Sequence, residues 1–464
     1  MRIRLARCFV VVPALWIVRT ATALSRTVHP KLLVSPSSNN PSQPTTLPDG
    51  SPLSWSFDQL AETLGGSGKA KACWECFRLG VDPLWYYSTR SDASSNEKHL
   101  SNDMEPFVIP FELSDNKQTN DIRWTRQQVE DHVSEMASRG SPTKLSSDTL
   151  KKLQSAMGGG SIETSIAKLA NLTTSSDGTT KMLLELEQDG MLVETVIIPW
   201  DDRHKSTVCV SSQVGCRQAC TFCSTGRMGL LRSLSSAEIL AQLYWGNKIC
   251  RLYDIYGIDN CVFMGMGEPA DNADAVVRAA SVMVDQSLFK LAPRRVTIST
   301  VAPNPGVFAQ LGVAPVVLAW SVHSSRDELR RQLVPTTQHT MEELRQGLTR
   351  ALQGRSKRLQ NIMLEVTLLD QINDSTEDAE HLAQFCRPLL EEVRGLKLVV
   401  NLIPWNDISA TFGPASRYRK PQMDRVMAYQ KVLMENEILS YIRTTRGDEE
   451  EAACGMLSTK SVRA

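Results

Sequence analysis

From Ser206 onward, short runs of Val, Ile, Leu and Met alternate with longer stretches of helical periodicity, and this alternation limits the fold more than any other feature. The short runs fall at 207–211, 261–266, 296–300, 316–322, 362–369 and 396–403. The longer stretches fall at 235–252, 272–286, 340–352 and 376–392, with a last one at 422–436. A strand that returns to its sheet after a helix re-enters in the same direction, so six such units in a row predict a parallel sheet. The fold class is therefore α/β, a partial (β/α)6 barrel. Barrels of this kind carry their chemistry at the C-terminal ends of the strands. The informative motifs of this chain fall there.

Ahead of the barrel the chain reads as an N-terminal helical and β accessory region. The expected organisation is a targeting leader and transit-like segment at 1–46, an accessory region at 47–200 with an insertion at 86–140, and the barrel with a C-terminal cysteine tail at 201–464. Arg2, Arg4 and Arg7 precede an apolar run from Cys8 to Val18, and Ala21-Thr22-Ala23 supplies a small-residue cleavage site. The Ser/Pro/Asn/Thr-rich stretch behind it, poor in acids, reads as a transit peptide. Leader and stretch together predict a plastid address, with mitochondrion, plain secretion or cytoplasm as alternatives. Apolar spacing at Phe57, Leu60, Leu64, Trp74, Phe77 and Leu84 predicts helices, as does the stretch 145–172. Lys181 to Leu186, Asp189-Gly190 and Leu192 to Ile198 read as a hairpin.

Composition narrows the partners. The 51 basic residues balance 51 acidic ones, which excludes a uniformly cationic nucleic-acid coat; RNA contact must come from local basic segments. The candidates are Arg203-His-Lys205, Arg294-Arg295, Arg355-Ser-Lys-Arg358 and Arg417-Tyr-Arg-Lys420, although such runs are most often plain solvated surface. No apolar run reaches the roughly 18–20 residues of a membrane span, so no membrane is expected for the mature form. Eleven cysteines in 464 residues are too few for a disulfide scaffold, and they cluster unevenly.

The cluster is Val214-Gly-Cys216-Arg-Gln-Ala-Cys220-Thr-Phe-Cys223, just after the first barrel strand. Three cysteines on so compact a loop can converge on one metal centre. Structural zinc asks for four closed ligands, and this loop offers three. An iron–sulfur cluster held by three thiolates keeps one iron without a protein ligand, open to chelate and reduce a small molecule. Cys73-Trp-Glu-Cys76 lacks identifiable further ligands and reads as helix packing, and Cys250, Cys261 and Cys386 read as core residues.

This C-x3-C-x2-C loop resembles that of the radical S-adenosylmethionine superfamily. The resemblance implies a [4Fe-4S] cluster on Cys216, Cys220 and Cys223, and S-adenosylmethionine on the free iron, cleaved reductively to a 5′-deoxyadenosyl radical. Cys209-Val-Ser-Ser-Gln-Val-Gly-Cys216, Gly265-Met-Gly-Glu-Pro269, Asn401-Leu-Ile-Pro-Trp-Asn406, and Arg446-Gly-Asp with Ala453-Cys454-Gly455 resemble the radical RNA methyltransferases that methylate adenine at C2. The similarity runs from Asp189 to Leu457. It implies 23S ribosomal RNA, transfer RNA next to the anticodon, or both as substrate; a plastid setting would suit ferredoxin or flavodoxin as electron donor, and a monomer is expected.

The resemblance also implies roles. Cys454 takes a methyl group from one S-adenosylmethionine, the radical made from a second removes a hydrogen from it, and the carbon radical adds to the base. Cys209 then attacks the Cys454 sulfur, and the resulting disulfide releases the product. Glu194 matches the family's proton acceptor. Gly267 and Glu268 match contacts to the methionine amino group, while Ser299, Ser321, Val322, His323 and Asn406 match positions that hold ribose, carboxylate and adenine. Taken singly, Cys209 and Cys454 read equally as buried structural cysteines, Glu194 as a solvent-facing strand residue and His323 as a packed histidine. The chain departs from the family in a longer stretch at 200–208 and in Thr-Val-Ala-Pro after Ser299, where relatives usually continue Ser-Gly. Adenosine C8 is the closest alternative target, because C8-methylating relatives share both cysteines and the cluster loop. A non-catalytic metal-binding RNA-binding protein is the alternative from another class, and a thiol oxidoreductase would leave the triplet without a purpose.

Overall fold

Helix starts follow from local hydrogen-bond chemistry. Ser235 with Glu238, Thr340 with Glu343, and Ser375 with Asp378 each form a reciprocal capping box. Each satisfies amide donors that the first helical turn leaves open. The computed structural model describes residues 50–88, 105, 124–136, 144–408 and 414–459. The leader and transit-like segment expected at 1–46 lie outside the described residues. So does part of the insertion expected at 86–140, within which residue 105 and the helix Arg126–Met136 are described.

Twelve strands occur among the described residues: β1 (Ala167–Thr174), β2 (Thr180–Leu186), β3 (Leu192–Trp200), β4 (Lys205–Cys209), β5 (Gln213–Cys216), β6 (Gly229–Ser233), β7 (Ile258–Phe263), β8 (Val296–Thr300), β9 (Val317–Ser321), β10 (Asn361–Leu368), β11 (Lys397–Pro404) and β12 (Leu439–Ile442). Ten of them make one open sheet in the order β1-β2-β3-β4-β7-β8-β9-β10-β11-β12, while β5 and β6 form a separate hairpin. From β4 to β12 every neighbouring pair in the large sheet is parallel. Thus the six expected strands are present, and β12 extends the parallel run. The helices Ser236–Leu252, Ala273–Val284, Met341–Gln353, Thr376–Glu392 and Met423–Glu435 stand where periodicity placed them, each within a few residues.

Two readings change. The stretch 145–172 contains the helix Ser147–Ala156, but its end is β1. Ala167 and Leu169 are buried while Lys168 between them is exposed, an alternation of period two that wins over the helical reading. The sheet also runs unbroken across residue 200, where the sequence divides accessory region from barrel. β3 and β4 pair antiparallel there, with Val196 opposite Cys209 and Trp200 opposite Lys205, and residues 49–464 form one compact unit.

The N-terminal helices Phe57–Leu64, Ser67–Arg78 and Pro83–Ser88, with Trp55 just ahead of them, contribute Trp55, Cys73, Trp74, Cys76 and Phe77 to the core shared with the sheet. Arg251 on the helix Ser236–Leu252 donates to the Leu79 carbonyl at 3.2 Å behind these helices, and belongs to a buried ionic group that draws in Glu105 and Glu163. Lys248 Nζ lies 2.7 Å from Glu163 and 3.3 Å from Glu105, and Arg251 holds Glu105 through two hydrogen bonds of 2.8 Å. Tyr244 donates to Glu163 over 2.9 Å. Among the described residues no helix is long and apolar enough to cross a membrane.

Removing one partner of such a group leaves an uncompensated buried charge. Lys248→Met is therefore expected to destabilise the fold by about 3 kcal/mol, and adding Glu163→Gln to recover part of that loss. Thermal midpoints of the two variants against the parent check both.

Candidate active site

The cysteine loop is closed at its base by the β5–β6 hairpin, which pairs Cys216 with Gly229 and Gly215 with Leu230. Gly215 has φ +77°, and a Cβ there would lie 1.9 Å from the Gly229 carbonyl oxygen, so only glycine lets the two strands meet. The sequence read this stretch as an open loop. Signals for the hairpin were the apolar Leu230-Leu231 and the lone glycine within Val214-Gly-Cys216.

Cys216, Cys220 and Cys223 line one cleft of about 970 Å³, counted out to bulk solvent. Burial pushes all three thiols above their ordinary range, Cys220 to about 12, and their mutual proximity pushes Cys216 and Cys220 further. Thiols in that setting ionise only against a positive centre, which an iron cluster supplies. All three are free, with none in a disulfide. Among the described residues no three His, Cys, Asp or Glu converge tightly enough to hold a single ion. A cluster asks for something else, one thiolate per iron around a single body. The donor set fits it.

The strand ends complete this cleft. Gly267, Glu268, Ser299, Ser321, His323 and Asn406 all line it. Gly267 has φ +101° and a Cβ there would meet Gln213 within 2.8 Å, which fixes the close backbone approach. Glu268 is buried and pushed up to about 7 by desolvation, while its carboxylate accepts from Val301 N–H and Ala270 N–H, both at 2.9 Å. Ser299 and Ser321 share a hydroxyl hydrogen bond of 3.2 Å. His323 has φ +55° and its Nδ1 accepts from Thr367 N–H at 3.1 Å. Burial holds its ring neutral. Val322 does not line the cleft; its side chain is buried in the core, and its carbonyl accepts from Arg330. The sequence reading missed Arg330, a buried guanidinium that also donates to the carbonyls of Ser321 and Val301 and so joins the ends of β8 and β9. Nothing in the sequence marks it. Glu365, also missed, lines the cleft on β10 with one carboxylate oxygen on Asn401 and the other unsatisfied. A lone acid inside an apolar run was its signal.

A second cleft of about 570 Å³ adjoins the first and is lined by Val196, Ile198, Trp200, Cys209, Arg443 and Arg446, among others. Cys454, Asn406, Met264, Ile403 and Leu457 line both clefts. Cys454 thus stands in their common wall. Of the ten described cysteines only Cys223 and Cys454 are not buried, so Cys454 is open to what enters either side. Its segment is stitched to the cysteine loop. Asn406 Nδ2 donates to the Cys454 carbonyl at 2.9 Å, Ser224 N–H to the Gly455 carbonyl at 2.8 Å, and Thr225 Oγ1 to the Leu457 carbonyl at 2.7 Å. Cys209, mid-sheet between β3 and β7, is pushed up to about 12, chiefly by burial and further by Cys454.

Glu194 lies on the face of β3 that carries Val196, Ile198 and Trp200, yet it lines neither cleft. It faces Lys181 at 3.7 Å, and burial pushes its carboxyl up to about 7. Of the basic segments, Arg355 is buried, donating to the Ala314 and Val316 carbonyls, and so is no RNA contact. Lys357, Arg358, Arg417, Arg419, Lys420 and Arg294 are exposed, and Arg203 stacks on Trp200 at 5.9 Å.

Comparisons with known proteins agree with this geometry. The radical SAM superfamily matches residues 210–386, which makes the chain a radical S-adenosylmethionine protein, a class that uses a [4Fe-4S] cluster and S-adenosylmethionine. The proteins named dual-specificity RNA methyltransferase RlmN from two Xanthomonas campestris pv. campestris strains, B100 and 8004, are each 41% identical over 290 residues, 61% of this chain and 70% of theirs. The chain belongs to the RlmN family. The crystal structure of a radical SAM methyltransferase from Sphaerobacter thermophilus superposes with a TM-score of 0.60 at 27% identity, covering 88% of this chain and 98% of that one.

The Glu194 carboxyl yields a pH prediction. The folded chain keeps this proton until about pH 7, whereas the unfolded chain loses it near pH 4.3. Ionisation therefore favours unfolding, and stability is lost as pH rises through that window. Glu194→Gln should raise stability by about 3.5 kcal/mol at pH 8 and leave it unchanged at pH 4. Thermal midpoints of the two proteins across that range test it.

Proposed function

We propose that this chain methylates adenosine at C2 in RNA, passing the methyl group through Cys454. The observation that carries the reading is the place of Cys454 in the wall common to two clefts, with the three-cysteine loop on one side and Cys209 on the other. Adenine C2 is electrophilic, so direct polar transfer from S-adenosylmethionine does not reach it. A relay thiol that faces the methyl donor on one side and the base on the other solves that problem.

In this reading Cys216, Cys220 and Cys223 hold the cluster, Gly267 and Glu268 hold the methionine amino group, and Ser299, Ser321, His323 and Asn406 hold the rest of the cofactor. Val322 shapes that wall from behind. When bound, cluster and S-adenosylmethionine supply a 5′-deoxyadenosyl radical. Cys454 accepts the methyl group, surrenders a hydrogen atom from it and delivers the carbon to the base. Glu194, pushed up to about 7, is the final proton acceptor, and because it lines neither cleft it takes the proton through an intervening group. The Cys209 thiolate attacks the Cys454 sulfur, the carbon–sulfur bond breaks as the disulfide forms, the freed methyl carbon takes a proton, and the surplus electron of the base radical would return to the cluster. The relatives' name, dual-specificity RNA methyltransferase, supports RNA as the substrate, and we extend it to both ribosomal and transfer RNA. A plastid address through residues 1–46, ferredoxin or flavodoxin as electron donor, and a monomeric state complete the proposal.

The test is anaerobic reconstitution with iron and sulfide, then reaction with S-adenosylmethionine, a reductant and unmodified organellar RNA. Digested nucleosides are resolved by mass spectrometry against 2-methyl- and 8-methyladenosine. The expected result is 2-methyladenosine, lost with Cys220→Ala and with Cys454→Ala. Cys209→Ala is expected to accumulate a covalent protein–RNA species on a denaturing gel. An 8-methyladenosine peak would move the target carbon, and normal yield from Cys454→Ala would sink the relay.

A further inference from the structure

The second cleft contains a cation that the scheme above does not use. Arg443 follows β12 directly, with its N–H donating to the Leu402 carbonyl at 2.8 Å. Its side chain lines the cleft together with Cys209, Cys454 and Trp200. Among the described residues this guanidinium makes no side-chain hydrogen bond and no ion pair. The neighbouring arginines are engaged: Arg330 donates to three carbonyls, and Arg446 donates to the Asp177 carbonyl at 3.1 Å and lies over the Trp200 ring at 5.2 Å. Cys454, Glu365 and Cys209 all lie within the electrostatic reach of Arg443.

A guanidinium is always charged and presents five N–H donors in a rigid plane. Buried donors are nearly always satisfied, so a half-buried set facing a cleft points to an acceptor carried by the ligand. The rest of the cleft says what that ligand is. Val196, Ile198, Met264, Ile403 and Leu457 form an apolar wall, and Trp200 adds an aromatic ring near its rim. A flat, weakly polar ring with acceptor atoms on its edge meets all of these at once.

We propose that Arg443 is a catalytic residue that reads the target purine, donating a hydrogen bond to a ring nitrogen beside the carbon that receives the methyl group. The inference rests on the proposed function, since it takes the occupant of the second cleft to be the target adenine. The donor has two effects. It orients the base so that the acceptor carbon faces Cys454, and it stabilises the electron density that moves onto that ring nitrogen as the new carbon–carbon bond forms.

The experiment pairs a protein change with an atomic change in the RNA. Reconstituted wild type and Arg443→Met are given RNA hairpins carrying adenosine, 1-deazaadenosine or 3-deazaadenosine at the target position. The variant is expected to lose about tenfold or more in kcat on adenosine with KM raised by no more than about threefold, the pattern of a contact present in the bound complex and stronger in the transition state. Replacing the contacted nitrogen should cost wild type a similar factor and the variant less than about twofold, because the bond is already gone. Methylation of Cys454 without RNA, read by mass spectrometry of the protein, should fall less than turnover does, because Arg443 favours the thiolate but acts on the base at a later step. Arg443→Lys should restore part of the rate. An equilibrium arm reads the contact without turnover: wild type should bind the adenosine hairpin more tightly than the deaza hairpin, and Arg443→Met should bind both alike. Additive losses at both nitrogens, or equal discrimination by both proteins in the binding arm, would overturn the proposal. So would loss of Cys454 methylation in step with turnover, which would give Arg443 to the thiol. Wild type that methylates no RNA would instead count against the proposed function, and the binding arm would still decide Arg443.

Discussion

The docking of residues 454–457 onto the cysteine loop is the contact on which the whole site depends. Three donors from two distant parts of the chain, Asn406, Ser224 and Thr225, bring Cys454 beside Cys223 and close the wall between the clefts. Trp405 adds to it from β11's end by donating its indole N–H to the Phe222 carbonyl at 2.9 Å. Without this seam there would be one open trough at the strand ends. With it there are two chambers that share a single sulfur.

The parallel sheet supplies the rigidity behind the seam. Each strand from β4 to β11 ends near the clefts, and the residues just beyond those ends carry the polar lining. A buried guanidinium and a main-chain carbonyl lock neighbouring ends together: Arg330 spans β8 and β9, while the carbonyl of Glu365 on β10 accepts from Val322 and His323 at the end of β9. Further back, Glu105 and Glu163 hold the helix Ser236–Leu252 through Lys248 and Arg251, and Arg251 also reaches the Leu79 carbonyl behind the N-terminal helices.

Much of this was legible in the order of residues. Six strands and five helices announced themselves because their periods differ and their caps are chemically distinct. Most lining positions were legible too, because motifs such as Gly265-Met-Gly-Glu-Pro269 keep neighbouring functions within a few residues. What stayed hidden depends on contacts between distant segments. β1 was lost inside a helical stretch because its apolar residues fit either period over so short a span. β12 is only four residues long, too short for a pattern to declare itself. Arg330 and Arg443 carry no local signal, since an arginine whose purpose is set by carbonyls or sulfurs elsewhere looks like any surface arginine. Arg355 shows the opposite error, a member of a basic run whose side chain turns inward.

The seam also separates what the tail must keep from what it can change. Every acceptor that anchors it is a main-chain carbonyl, of Cys454, Gly455 and Leu457. The anchors therefore measure spacing along the chain and ignore most side chains. Side chains enter through packing instead: Ala453, Met456 and Leu457 are buried, and Gly455 at φ +82° takes a conformation that favours glycine. A single residue added or removed between 454 and 457 breaks the match between donors and acceptors and carries the sulfur out of the wall. The tail acts as a ruler whose marks are carbonyls, so its length is fixed independently of the packing that fixes its side chains.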